Sequence, residues 1–261
     1  MRQSCFIGGL AGLLTMGLSV GALEGQIVST GASSSSLTMR QGIVIDRPYT
    51  AVVKISTVVA LADGTRVLTE RTDSVARDSS GRTYRANRPS TMNPPCTDNH
   101  CGDRVMIHDP VKHTKAVFDA NDKVATIEPE TKHEPMYSAQ AAASPATPAK
   151  PEPPTSADPS KPTWTVEDLG WKTIHGLSCQ GTKRIWVYPA GFFGNDRPIT
   201  SWHEVWISPE IMAEVLEIDS DPRSGVTTFE MDDIERAEPD PALFQPPDGY
   251  TVMERNSAPR N

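Results

Sequence analysis

The residues that could do chemistry are few, and their spacing argues against most of it. Gly176-Leu-Ser178-Cys-Gln-Gly181 sets a serine between glycines, but a nucleophile elbow is Gly-x-Ser-x-Gly and this run is one residue too long. Strand-like sequence flanks it with no helix to follow, so a polar hairpin with a bulge accounts for it. His203-Glu204 opens like a helical zinc-protease motif, yet position 207 is Ile and Trp202–Ser208 alternates as a strand does. Gly191-Phe-Phe-Gly194 lacks the Lys-Ser/Thr of a phosphate loop. Glu204 with Glu230 offers a carboxylate pair for a hydrolase, with Trp186, Trp202 and Trp206 stacking on sugars. The same tryptophans serve more simply to fill one face of a sheet. The chain is therefore read as non-enzymatic, with no catalytic residue, cofactor or metal ligand assigned.

Cysteine chemistry is confined to a small loop. Cys96-Thr-Asp-Asn-His-Cys101 suits a disulfide in an oxidising compartment. Free thiols, or a zinc site using His100 and His108, are the alternatives; no second Cys-x-x-Cys or His pair supports the metal. Cys179 is left over.

The compartment is legible at the N-terminus. Arg2 precedes an apolar or small-residue run from Cys5 to Val20, and Val20-Gly21-Ala22 supplies the small residues of a cleavage site. Residues 1–22 are expected to be an export signal rather than a membrane anchor, because the run is shorter than the ~20 apolar residues a span needs. The remaining chain is expected to be periplasmic or secreted, without a transmembrane span. The formal charge of −8 is the wrong sign for a nucleic-acid binder.

Two segments cannot build a core. Residues 23–45 contain the Gly/Ser run Thr30–Ser36 and read as a flexible leader, and 138–163 is a Pro/Ala-rich, disordered stretch with little apolar surface to bury. The chain carries 23 prolines against 18 glycines, and this stretch together with Pro239–Pro247 concentrates them. Residues 253–261 complete the chain as a disordered tail. What lies between, 46–252 apart from the proline loop, is one β domain.

Its elements alternate at period two. Val53, Ile55, Val59 and Leu61 share a face, Asp63-Gly64 turns, and Thr65–Asp78 returns. Ser79-Ser80-Gly81 turns again into Arg82–Arg88. Strands at Val105–Pro110, Thr114–Asp119 and Lys123–Glu128 follow, then Trp164–Ile174, Leu177–Tyr188, Trp202–Ser208 and Val226–Ile234. Over 208–218, Ser208-Pro209-Glu210 fits either a helix N-terminus, with Ile211, Val215 and Ile218 at helical spacing, or a turn between strands. Leu243 and Phe244 are expected to plug one end of the sheet. Arginine is concentrated in 64–88 and acid in 204–248; cross-strand pairing on the solvent face accounts for both, and a basic stripe for anionic headgroups is the functional alternative.

The second half resembles a family of uncharacterised bacterial exported proteins. The residues that carry this are Trp202-x-Glu-x-Trp-Ile-Ser-Pro-Glu210, Asp221-Pro-Arg-Ser-Gly225, Glu238-Pro-Asp-Pro-Ala-Leu-Phe244 and Pro247-Asp-Gly-Tyr-Thr-Val252, with Asp63-Gly64, Arg77–Arg82 and His108-Asp-Pro110 in the first half. In pattern the chain is also distantly similar to the LolA/LppX-like lipoprotein-carrier superfamily over roughly 48–135 and 164–252. That resemblance implies a mainly β fold: one strongly curved antiparallel sheet, an open half-barrel with little helix, whose apolar concavity accepts acyl chains. The chain departs from the pattern in having no helical lid segment between Ser79 and Pro135 and in its Cys96–Cys101 loop. The expected function is binding of an apolar or amphiphilic ligand on the concave face, lined by Trp202, Trp206, Phe229 and Met231. The expected partner is a lipid or an envelope protein. A ligand-free structural or interaction module of the cell envelope, and a carboxylate-dependent hydrolase, are the competing readings.

Overall fold

A computed structural model describes residues 43–87, 104–120, 122–130 and 160–255. These build one sheet of 12 strands: β1 Tyr49–Ala60, β2 Arg66–Arg77, β3 Thr83–Asn87, β4 Arg104–Asp109, β5 Thr114–Asp119, β6 Val124–Pro129, β7 Thr163–Ile174, β8 Leu177–Tyr188, β9 Ile199–Ser208, β10 Ala213–Asp221, β11 Gly225–Glu235 and β12 Thr251–Glu254. Their spatial order is β12-β6-β5-β4-β3-β2-β1-β11-β10-β9-β8-β7, so the sheet is open, with β12 and β7 at its edges. All pairs are antiparallel except β12 with β6. The sole helical element among the described residues is a 3-10 turn at Pro241–Phe244, and no helix there is long and apolar enough to cross a membrane.

Two meanders are joined side by side through β1 and β11, so the sequence on either side of the proline-rich stretch contributes to one sheet. The hairpin ends follow the turn chemistry. Gly64 sits at φ +86°, and His175-Gly176 takes φ +46° and +79° between β7 and β8. The ambiguous 208–218 stretch is a turn leading into a strand. A register shift between Glu214 and Leu216 lets both Val215 and Leu216 pack, which is how an apolar spacing close to helical arises within a strand.

The sheet is strongly bent. The turn joining β7 and β8 lies three to four strand positions from β11, roughly 14–19 Å if the sheet were flat. Yet His175 Nε2 is 2.8 Å from Glu230 Oε1 and its Nδ1 is 3.5 Å from Asp232 Oδ1. The hairpin folds back across its neighbours where the register shifts between Asp168 and Gly170. Gly170 takes φ +71° there, and Gly181, its pairing partner, gives up its side-chain space to the Trp206 ring: a Cβ at Gly181 would stand 2.6 Å from it.

The core is in two parts. One gathers Tyr49, Val53, Ile55, Phe229 and Met231 with Leu177, Cys179, Trp206, Ile211 and Val215. The other lies over β2–β6, where Ala76, Ile107, Phe118 and Ala125 are covered by Phe244, with Leu243 and Tyr250 against it. The expected plug by Leu243 and Phe244 is thus present, and Asp240 caps it by accepting from Ala242 N. The tail beyond it was legible only as extended; it adds β12 to the edge strand β6 in parallel and runs to Glu254.

Candidate ligand-binding face

Residues directly opposite in a sheet share a face, so the register sorts the candidate residues without ambiguity. Phe229 lies opposite Ile55 and Glu217, and Met231 opposite Val53. Trp206 lies opposite Leu216 and Gly181, and Trp202 opposite Ser220 and Ile185. Leu216 pairs with Glu230, the neighbour of Phe229 in sequence. The sheet therefore brings Phe229 and Met231 together on one face and Trp202 and Trp206 together on the other. Period-two spacing within a strand is legible in sequence. The relative parity of two strands depends on their register, which sequence does not carry.

Exposure separates them again. Met231 is 0%, Phe229 6% and Trp206 7% exposed, so these three are core, whereas Trp202 is half-buried with Lys183 Nζ 3.9 Å from its ring centroid. Cys96 and Cys101 lie outside the described residues, as do His100 and most of the proline-rich stretch. His108 is described; its Nδ1 is 3.1 Å from Glu130 Oε2.

The Phe229 face is the chemically richer one. Across β1, β11, β10 and β9 runs an apolar floor of Ile55, Phe229 and Val205, interrupted by the buried Glu217. One row further toward the β8–β9 loop is a polar band: Thr57, Thr227, Asp219, His203 and Arg184. The Thr57 and Thr227 hydroxyls are 3.0 Å apart. The next row holds Ser201, Trp186 and Trp164, with the Arg184 guanidinium 5.5 Å from the Trp164 ring and 5.7 Å from Trp186.

His203 is the titrating centre of that band. Its Nδ1 is 2.8 Å from Asp219 Oδ1 and 3.7 Å from Glu217 Oε1. The Asp219 hydrogen bond raises its pKa above the ordinary imidazole value, and the Asp219, Glu217 and Glu214 charges add to this; partial burial opposes them. His203, Glu217 and Asp219 each present a ligand atom within 4.8 Å of the others, so this set could hold a divalent cation as well as a proton. Metal–ligand bonds of about 2.0–2.2 Å would require the three to draw closer. Sequence reasoning missed the group because Asp219 lies across a strand boundary; only a correct β9–β10 register would have found it.

On the same face but across β1, the arginine-rich segment turns inward. Asp73 lies opposite Val53 and Asn87 and is fully buried. Arg85 grips its Oδ2 through Nε at 2.8 Å and Nη2 at 2.5 Å, and Arg71 Nη2 stands 4.0 Å away. Arg77 is also buried. It stacks on Tyr49 at 4.8 Å and donates to the carbonyls of Arg47, Ile211 and Met212. Burial lowers its pKa from the ordinary guanidinium value. Other arginines pair locally, Arg82 with Asp78 and Arg223 with Asp221. The proposed hydrolase carboxylates are committed elsewhere: Glu204 accepts from Trp206 Nε1 at 2.9 Å and Glu230 holds His175.

No protein-family model matches the chain, and no curated protein does. Solved structures are similar to it in fold at low identity. An uncharacterised conserved protein from Thermus thermophilus aligns at 9% identity and TM-score 0.40, covering 80% of this chain and 90% of its own. A chain of the Pseudomonas aeruginosa MucA/MucB complex aligns at 8% and TM-score 0.38, over 79% of this chain and 58% of its own. A LolA superfamily protein from Nitrosomonas europaea aligns at 9% and TM-score 0.29, over 78% and 92%.

Proposed function

We propose that this is an exported, non-enzymatic binding protein, periplasmic or secreted, that holds an amphiphilic ligand on the Phe229 face. The observation that carries the reading is the order of rows on that face: a buried apolar floor, a polar band of Arg184, His203 and Asp219, then the half-buried Trp186 and Trp164. An apolar chain would lie against the two tryptophans, and its polar end would meet Arg184 or the His203–Asp219 pair. Trp202 and Trp206 support the opposite face in this reading.

The test is native mass spectrometry of the protein purified from the cell envelope, with fluorescence titration of an acyl-chain probe. Saturable uptake is expected, weakened by Trp186→Ala. Absence of both a co-purified amphiphile and saturable uptake would refute it. One observation favours the competing reading, a ligand-free envelope module: Met231 and Phe229 are fully packed. A filled face predicts that no probe binds although the fold is intact.

A further inference from the structure

Val111, Trp171, Val252 and Met253 are exposed apolar side chains at separate places, but the other large apolar side chains exposed among the described residues share one region. That region is one end of the sheet, with Leu61 and Leu68 at the β1–β2 hairpin, Val187, Phe192 and Phe193 around the β8–β9 loop, and Val226 at the start of β11. The register puts these at a common end. Leu68, Val58, Val226, Ser220, Trp202 and Ile185 form one row across six strands, and the three hairpin ends project beyond it.

The β8–β9 loop is built to keep its aromatic pair out in water. Phe192 is 45% and Phe193 50% exposed, with rings edge-to-face at 4.7 Å. Asn195 braces the loop: its Nδ2 donates to Pro189 O at 2.9 Å and to Arg197 O at 2.5 Å, and its Oδ1 accepts from Phe193 N at 2.9 Å. Gly191 N also donates to Asn195 O at 2.7 Å, with Gly191 and Gly194 at φ +84° and +81°. Arg223, from the next hairpin end, stacks on Phe193 at 4.2 Å. Both rings also pack on Tyr188, at 5.6 and 5.0 Å, so the loop holds a braced aromatic cluster that still leaves about half of each phenylalanine exposed, an apolar patch of the kind that marks an interaction surface.

We propose that this end of the sheet docks on the interface of a phospholipid bilayer, with Phe192, Phe193 and Leu61 entering the acyl boundary. Two features select a bilayer over a protein. The apolar tips come from two separate hairpins, Leu61 between β1 and β2 and Phe192–Phe193 between β8 and β9, while the hairpin end between them in the strand order supplies Arg223. A fluid surface accepts separated fingers, whereas a protein interface of about 800 Å² a side needs continuous complementarity. The charge also fits: the loops pair Asp196 with Arg197 and Asp221 with Arg223. They are thus locally neutral in a chain of net charge −8, so the approach to headgroups is not opposed where contact is made. The stacked Arg223 lies behind the aromatic tip, where its guanidinium can meet phosphate.

This stands on exposure at the hairpin ends and not on the ligand reading, so the two fail separately. The full chain is incubated with phosphatidylethanolamine/phosphatidylglycerol 3:1 vesicles, and flotation is combined with hydrogen exchange. Protection confined to 61–65, 189–198 and 222–224 is expected. Phe192→Ser/Phe193→Ser should weaken flotation by about tenfold or more, while Trp171→Ser, an exposed side chain elsewhere, should not. No protection at those ends, or flotation of the double variant equal to the parent, overturns the proposal, including the case in which another segment anchors the chain. A protein that takes up acyl probe but shows no such protection keeps its proposed function and loses this one.

Discussion

The buried Asp73 gives the sharpest test of how the Phe229 face is held. Its carboxylate is fully buried and receives two charge-assisted hydrogen bonds from Arg85, whose side chain is still 20% exposed. Removing one partner of a buried pair costs about 3–5 kcal/mol because the other charge is stranded. The cost must be unequal here. Asp73→Asn strands Arg85, which can turn partly to water, so the loss should approach that of the charged hydrogen bonds alone, about 1.5–3 kcal/mol. Arg85→Met strands a carboxylate that water cannot reach, but Arg71, at 4.0 Å, can close in and substitute. Arg85→Met alone should therefore sit near 3 kcal/mol, and Arg71→Met/Arg85→Met near 5 kcal/mol. At about 2–4 °C per kcal/mol for a domain of this size, the double variant should melt some 10–20 °C below the parent. Urea unfolding followed by tryptophan fluorescence and far-UV circular dichroism measures all three. The reasoning fails if the double variant lies within about 1 kcal/mol of the parent, or if Asp73→Asn is the most destabilising of the set.

Other perturbations follow from single contacts. A Cβ at Gly225 would overlap the Val58 carbonyl oxygen at φ +93°, so Gly225→Ala should cost more than the ~1–2 kcal/mol of left-handed strain and expose amides of β1 and β11 to exchange; normal protection there would be a failure. Phe244→Ala empties the cover over Ile107 and Phe118 and should cost about 3–5 kcal/mol, read as a lowered urea midpoint. Because its folded pKa is raised, His203 contributes stability that is present in full below about pH 6.5 and lost as pH rises through the folded value. Asp219→Asn should lower the imidazole midpoint seen by NMR and flatten that part of the stability profile; an unmoved midpoint would count against the pair. Cys179 is buried, and burial pushes its thiol pKa up, so an aromatic disulfide reagent should label it only on unfolding.

What the sequence disclosed and what it withheld divide along one physical line. Alternation within a strand is local, so Val53 with Ile55, Trp202 with Trp206 and Phe229 with Met231 were each legible as same-face sets. Turns were legible for the same reason, since Asp63-Gly64 and His175-Gly176 state their backbone angles in their own chemistry. Register is non-local. It is set by which residues of neighbouring strands pair, and it shifts at Thr50/Val52, Asp168/Gly170 and Glu214/Leu216. That is why four candidate residues grouped as one lining divide two and two, and why the His203–Glu217–Asp219 group was not seen.

The two-part core places an unusual demand on β2. Its first seven residues, Arg66 to Thr72, are exposed, yet near its end Val75, Ala76 and Arg77 are all buried. Successive residues of a strand point to opposite faces, so a run of consecutive buried residues means that both faces are covered at that point. Val75 belongs to the core containing Val53 and Met231, and Ala76 to the core closed by Phe244. The side of the sheet that carries the core therefore changes across β2, and Arg77 bridges to the Ile211–Met212 turn at that crossing. A strand covered on both faces cannot tolerate a register slip, because either side chain set would meet the wrong core. The arginine-rich composition of this segment, which in sequence suggested a surface stripe, is in part the means of fixing that register: Arg85 to Asp73 and Arg77 to backbone carbonyls are specific in position where apolar contacts alone are not.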